Sequence, residues 1–153
     1  MKLYSFPENR NYVFSDGGRA ASGRKGSARD CAVRAMAIAL NLDYDHCYNE
    51  LAQANKDSGK PKSVRNGIMK KDFEKVLARY GWVWRPAAII DGRKPRPRDL
   101  RGDRAVIARQ ARHFVAVVCG EPHDTFDSSE KSVYGSWEFC PIAFYDLQNG
   151  QVQ

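Results

Sequence analysis

The sequence predicts an α+β fold in a single domain of 153 residues. Two observations predict it. Three segments in the first half repeat apolar residues at helical spacing, while the second half is a succession of short apolar runs separated by Gly, Pro, Asp and Ser. The two kinds of segment are segregated, with no alternation and no internal repeat. That order points to helices gathered against an antiparallel sheet, not to a doubly wound parallel one. A chain of this length buries about 70% of its unfolded surface, enough for a core without disulfide staples. The 42% apolar content fits such a core and excludes a disordered chain.

The expected division is a basic, Gly-rich N-terminal segment over 1–29, a helical part over 30–81 and a sheet part over 82–153. Tyr12 to Phe14 reads as a short strand ending at the turn residues Asp16-Gly17-Gly18. Arg19 to Arg29 is rich in Gly, Ala, Ser and positive charge. It reads either as a solvated loop or as a wall beside the next element. Asp30 to Leu40 is the first helix, with Asp30 as N-cap and Cys31 at the first helical position. Arg34 lies three residues on and shares the Cys31 face, where it is expected to pair with a buried carboxylate.

Leu42 to Asn55 is a second helix with an apolar stripe through Tyr44, Cys47, Tyr48, Leu51 and Ala52. Met69 to Tyr80 is a third, carrying Phe73, Val76 and Leu77, and Gly81 stops it. Trp82 to Trp84 reads as a strand. Arg85 to Gly102 holds three prolines and a small strand candidate, Ala87 to Ile90; it is a long connection or a loop over a cleft. Arg104 to Arg109 and His113 to Val118 are strands, and Glu121 to Phe126 returns as a hairpin partner after Cys119-Gly120. Val133 to Phe139 and Ile142 to Tyr145 complete the sheet. Trp82, Trp84 and Trp137 are expected in the core.

Charge and cysteine usage bound the function classes. Lys and Arg number 25 against 18 Asp and Glu, a net charge of +7. The surplus is spread over loops without interleaved aromatics, so nucleic acid is not the expected partner. No run approaches a membrane span, and Met1 to Glu8 has no apolar signal core. A cytoplasmic setting is therefore expected, with Cys31, Cys47, Cys119 and Cys140 reduced. Those cysteines form no CxxC and share no metal-site spacing with His, so neither a metal nor another cofactor is expected.

Cys31 is the candidate nucleophile. A thiol at a helix start meets unpaired backbone N–H groups and the positive end of the helix dipole, both of which favour the thiolate. A nucleophilic cysteine also needs a base and a group that orients the base. Of the three histidines, His46 sits near a helix start as a surface residue and His123 lies on the return strand. His113 opens a strongly apolar strand, where an imidazole is least expected, and is the candidate base. The orienter depends on hairpin register. If the turn centres on Gly120, Asp127 falls opposite His113. If Cys119-Gly120 is a strict two-residue loop, Phe126 is opposite and Asp124 takes the His113 face. Asp127 is preferred, because a residue just past the strand is freer to turn onto an imidazole, with Asp124 as the alternative orienter.

A Cys at a helix start, a His at a strand start and an Asp beyond the next strand resemble the papain-like cysteine peptidase superfamily. The double-glycine leader peptidases of bacterial exporters have a similar order. The segments Gly26 to Arg34, Arg65-Asn66-Gly67, His113 to Val117, His123 to Asp127 and Tyr134 to Trp137 resemble small uncharacterised phage and bacterial proteins. The resemblance implies a papain-like fold with a cleft between the helical and sheet parts. It also implies a Cys31–His113–Asp127 triad acting on a protein or peptide amide, isopeptide or thioester, in a bacterial cell or a phage-infected host. A non-catalytic module of the same fold that binds a host protein is the alternative. Papain-like enzymes place a Gln several residues before the Cys. The stretch Arg24 to Asp30 has none, which leaves the second oxyanion donor among Ser27, Arg29 and a loop N–H.

Overall fold

Three consecutive helices precede five of the six strands, as segregation of the two patterns predicts, with one short strand before them and a fourth helix at the end. The computed structural model describes residues 11–25 and 28–150. Readings that fall on 1–10, on Gly26 and on Ser27 lie outside the described residues. Helix α1 spans Cys31–Leu40 and ends at Asn41 in the left-handed conformation, which a short amide side chain tolerates. Helix α2 is Tyr44–Asp57, capped by the Asp43 carboxylate, which accepts from the Asp45 and His46 N–H groups. Helix α3 is Lys70–Ala78.

The strands are β1 Val13–Phe14, β2 Trp82–Pro86, β3 Val106–Gln110, β4 His113–Val118, β5 Glu121–Asp124 and β6 Gly135–Phe139. They form one sheet in the order β1-β5-β4-β3-β6-β2. Every neighbouring pair is antiparallel except β1 with β5, which runs parallel. The fold is thus α+β.

Alternation along β3 and β4 divides the core. Ile107, Phe114 and Trp137 belong to the larger cluster, with Val33, Met36, Leu51, Phe73 and Leu77 from the helices. Val106, Ala108, Val115 and Val117 form a smaller cluster with Val133 and Leu100. Strand residues one apart point to opposite faces, so the helices cover one face and the 95–105 and 133 region covers the other. The long connection after β2 is therefore a cover for the back of the sheet, tied by the Val133 N–H to the Pro95 carbonyl at 2.8 Å, and it does not line the cleft described below.

Three sequence expectations need correction. Ile142 to Tyr145 is helix, α4 Pro141–Gln148, with proline at its first turn, where a missing N–H costs nothing. Ala87 to Ile90 forms no strand beyond a single bridge of Ile90 with Arg93. Asp30 occupies the N-cap position of α1 but its side chain does not cap; its oxygens are taken by the buried network described next. The helices otherwise start and stop within two residues of the pattern. Trp82 and Trp137 are buried, with Trp84 packed on them. No helix among the described residues is long and apolar enough to cross a membrane.

Candidate functional site

Cys31 opens α1 because the chain stops being able to bend freely there: the ten helix residues that begin with it contain no Gly or Pro. The Arg34 N–H makes the first backbone bond of the helix, to the Asp30 carbonyl at 3.1 Å. The N–H groups of Cys31 and Ala32 therefore have no partner within the helix and face the space in front of it. Helix α1 packs on β4, which brings the Cys31 sulfur against His113 at the first position of that strand.

His113 is buried, at 6% exposure, and its Nε2 lies 2.5 Å from Asp124 Oδ2. The carboxylate accepts, so Nε2 carries a proton and Nδ1 is the ring nitrogen left for Cys31. Asp124 is itself 2% exposed. Its Oδ2 also accepts from the Ser128 hydroxyl at 3.1 Å, and its Oδ1 from the Thr125 N–H at 2.8 Å. The Phe126 ring packs on the imidazole with centroids 4.9 Å apart.

Burial pushes the Cys31 thiol up, but a hydrogen bond to His113, the imidazolium charge, the Phe114 backbone N–H and Arg34 outweigh it and leave the thiol lowered. Burial opposes the His113 imidazolium too, yet Asp124 and Cys31 hold its pKa above the ordinary value. Asp124 is lowered despite its burial, by His113, the Thr125 N–H and Arg34. The three shifts act in the direction that favours the thiolate, the imidazolium and the carboxylate. Cys47, in the core, shows the opposite case, since burial without a cation pushes it up to about 12.

The structure brings together Cys31, His113 and Asp124, and does not bring Asp127 to them. The expected pairing of Asp127 with His113 is corrected. Its carboxylate accepts from the Ser129 N–H at 2.9 Å, an ordinary turn contact. The physical reason is register. Val118 pairs with Glu121, so Cys119-Gly120 is a strict two-residue loop, with positive φ of 53° and 77° at its two residues. Continuing that ladder sets Asp124 against Val115, on the same pleat face as His113. His46 and His123 stand apart from the cluster. His46 is half-exposed and its Nε2 meets the Tyr80 hydroxyl at 2.9 Å, while His123 pairs with Ala116 and Val13 in the sheet.

A second layer lies behind the first, and sequence spacing gave only part of it. Arg34 forms an ion pair with Asp30, four residues before it, and its Nη2 reaches Asp124 Oδ1 at 3.4 Å. Asp30, at 1% exposure, also accepts from the Tyr44 hydroxyl at 2.5 Å and from Arg19 Nη1 at 3.2 Å. Arg24 pairs with Asp45 and stacks over Tyr48 at 4.1 Å. The described part of the basic segment is therefore not simply a solvated loop: Arg19 and Arg24 clamp it onto α2 and onto the buried Asp30, and Arg29 lines the cleft beside Cys31. Gly17 allows the approach, since a Cβ there would lie 2.8 Å from the Arg34 Cα. The i,i+4 spacing of Asp30 and Arg34 was a visible signal for this network; nothing local marks Ser128 or the Phe114 N–H.

Cys31 and His113 open into a cleft of about 890 Å³, rimmed by Asn66 and Gly67 and by Ile68, Met69 and Phe114. Arg29 lines it as well. Ser27, the other side chain expected to donate to an oxyanion, lies outside the described residues. No group of His, Cys, Asp and Glu among the described residues is arranged to hold a metal ion. No protein-family model, no curated protein and no solved structure matches the chain.

Proposed function

We propose that the protein is a cysteine hydrolase of papain-like organisation that attacks an amide, isopeptide or thioester carbonyl of a protein or peptide. The observation that carries this reading is the continuous contact Cys31–His113–Asp124 at the head of an open cleft. Cys31 is the nucleophile, His113 the proton shuttle and Asp124 the group that fixes its ring. A Cys31 Sγ lone pair forms the bond to the carbonyl carbon, and the π pair of the C=O bond moves onto the oxygen, which the Cys31 N–H at the helix start can receive. Collapse of this intermediate breaks the bond to the leaving group, which takes the imidazolium proton. Water then attacks the thioester carbon, His113 accepts its proton, and the Cys31 sulfur leaves as thiolate. Acyl transfer to an amine uses the same residues with the amine in place of water. The reduced thiol that this chemistry needs suits a bacterial or phage-infected cytoplasm.

One feature favours a second reading, a binding module that has kept the fold. The stretch before Cys31 contains no Gln or Asn to supply a second oxyanion donor. Reactivity separates the two. Under the hydrolase reading, iodoacetamide near neutral pH alkylates Cys31 at least about tenfold faster than Cys47, Cys119 or Cys140, as read by peptide mass mapping. Cys31→Ala then abolishes a biological effect of the protein while its thermal transition is kept. Uniform slow alkylation, or an effect that survives Cys31→Ala, gives the case to the binding module.

A further inference from the structure

The cleft in front of Cys31 has a sign. It is lined by Arg29, Lys60, Lys70, Lys71, Arg109 and Arg112, against the single carboxylate of Glu74. Two of these cations are already neutralised: Lys60 Nζ lies 3.2 Å from the buried Asp72, and Lys70 Nζ lies 3.3 Å from Glu74. The other four, Arg29, Lys71, Arg109 and Arg112, form no ion pair among the described residues. They come from both walls. Arg29 stands two residues before Cys31 and Lys71 lies in the first turn of α3, while Arg112 immediately precedes His113 and Arg109 pairs with Phe114 across the β3–β4 ladder.

Between the charges the cleft is apolar. Ile68, Met69 and Phe114 line it, and Met69 is 54% exposed at the end of its loop. A large exposed apolar side chain beside unpaired cations is a surface that lacks its complement. Resting on the hydrolase reading, we propose that the cleft takes an acidic polypeptide segment, whose carboxylates meet Arg29, Lys71, Arg109 and Arg112 and whose apolar side chain covers Met69 and Ile68. The guanidinium forks suit carboxylates, which they bind in a bidentate way. A nucleic acid strand answers the charge but not the lining. Phe114 is the one aromatic side chain in the cleft and is 9% exposed, so bases find no platform to stack on.

The test uses two peptide aldehydes of one length, acetyl-Glu-Glu-Leu-glycinal and acetyl-Lys-Lys-Leu-glycinal. The Cys31 sulfur adds reversibly to the aldehyde carbon and the oxygen takes the His113 proton, so a bound aldehyde protects Cys31 from iodoacetamide. The expected result is half-protection by the acidic aldehyde at a concentration about tenfold below that of the basic one. The gap closes as salt rises to 1 M, where charges beyond about 3 Å are screened. The doubly reversed variant Lys71→Glu, Arg112→Glu inverts the order. Equal protection by the two aldehydes, better protection by the basic one, or no protection by either overturns the proposal. So does protection by a single-stranded deoxyoligonucleotide at a lower concentration than the acidic aldehyde needs. Fast alkylation of Cys31 with any of these outcomes sinks the acidic-substrate inference alone, whereas slow alkylation from the start overturns both it and the hydrolase reading.

Discussion

At the Cys31 sulfur, burial and charge pull in opposite directions. Burial pushes the thiol up; the His113 ring, the Phe114 N–H and Arg34 pull it below its ordinary value, and the second set prevails. The sign of each substitution follows. The alkylation rate of the wild-type protein should rise with pH at a midpoint below that of an ordinary thiol. His113→Gln removes the leading cation and leaves burial in place, so the midpoint moves up. Asp124→Asn also moves it up, by less, because an imidazolium without its carboxylate gives up its proton at lower pH and stops supporting the thiolate. Asp127→Asn leaves the midpoint where it was, since its partner is the Ser129 N–H. A midpoint that moves as far in Asp127→Asn as in Asp124→Asn would contradict the orientation of His113 by Asp124. Cys31 and His113 were legible in the chain because each is chemically out of place: a thiol opens a helix and an imidazole opens an apolar strand. The preference for Asp127 over Asp124 fails because both follow β4 closely and one step of register decides which of them takes the His113 face.

That step is decided in the β4–β5 turn. Two-residue hairpin loops of this hand need positive φ at both central residues, and Asn-Gly is the pair that supplies it at least cost. Gly120 meets the requirement freely, but Cys119 adopts a φ of 53° with a full side chain, a conformation that costs about 1–2 kcal/mol for such a residue. Nothing in the dipeptide Cys-Gly advertises the turn as Asn-Gly would, which is why the sequence left two registers open. Cys119→Asn should therefore stabilise the protein by about 0.5–1 kcal/mol, read as a higher urea midpoint with unchanged slope. It should leave the alkylation of Cys31 unaltered, since the exposed Cys119 thiol takes no part in the site. A lower urea midpoint would mean that the cysteine side chain makes a contact the turn depends on. The helix at Ile142 to Tyr145 is hidden in the sequence for the same kind of reason. Four residues after a proline fit a strand or a first helical turn equally well by pattern, and α4 buries none of its side chains deeply enough to show a stripe.

Over the whole molecule, the larger of the two core clusters joins the helical layer that carries Cys31 to the sheet, while the smaller lies behind the sheet. Trp137 on β6 is fully buried. Its ring lies 5.4 Å from that of Phe73 on α3, 4.7 Å from Trp84 on β2 and 5.7 Å from Phe114 on β4. It therefore joins the helical layer to three strands, and one of its neighbours, Phe114, supplies the backbone N–H that faces the Cys31 sulfur. Periodicity in the sequence marked these residues as apolar and buried. It did not mark which strands they join, because strand order depends on pairings far apart in the chain. Behind the sheet, Leu100 is only partly buried and packs on a set of small side chains. Trp137→Ala removes a side chain that nothing nearby can replace, and should cost about 3–5 kcal/mol, a large share of a stability of about 5–15 kcal/mol. Leu100→Ala loses part of one side chain's burial and should cost about 1–2 kcal/mol. Urea unfolding followed by tryptophan-independent circular dichroism gives both values. Below its own transition, Trp137→Ala should also alkylate Cys31 more slowly than wild type, because Phe114 is free to shift and its N–H with it, while Leu100→Ala should alkylate at the wild-type rate. Equal losses of stability, or equal rates at Cys31, would mean that the two faces of the sheet support the site alike.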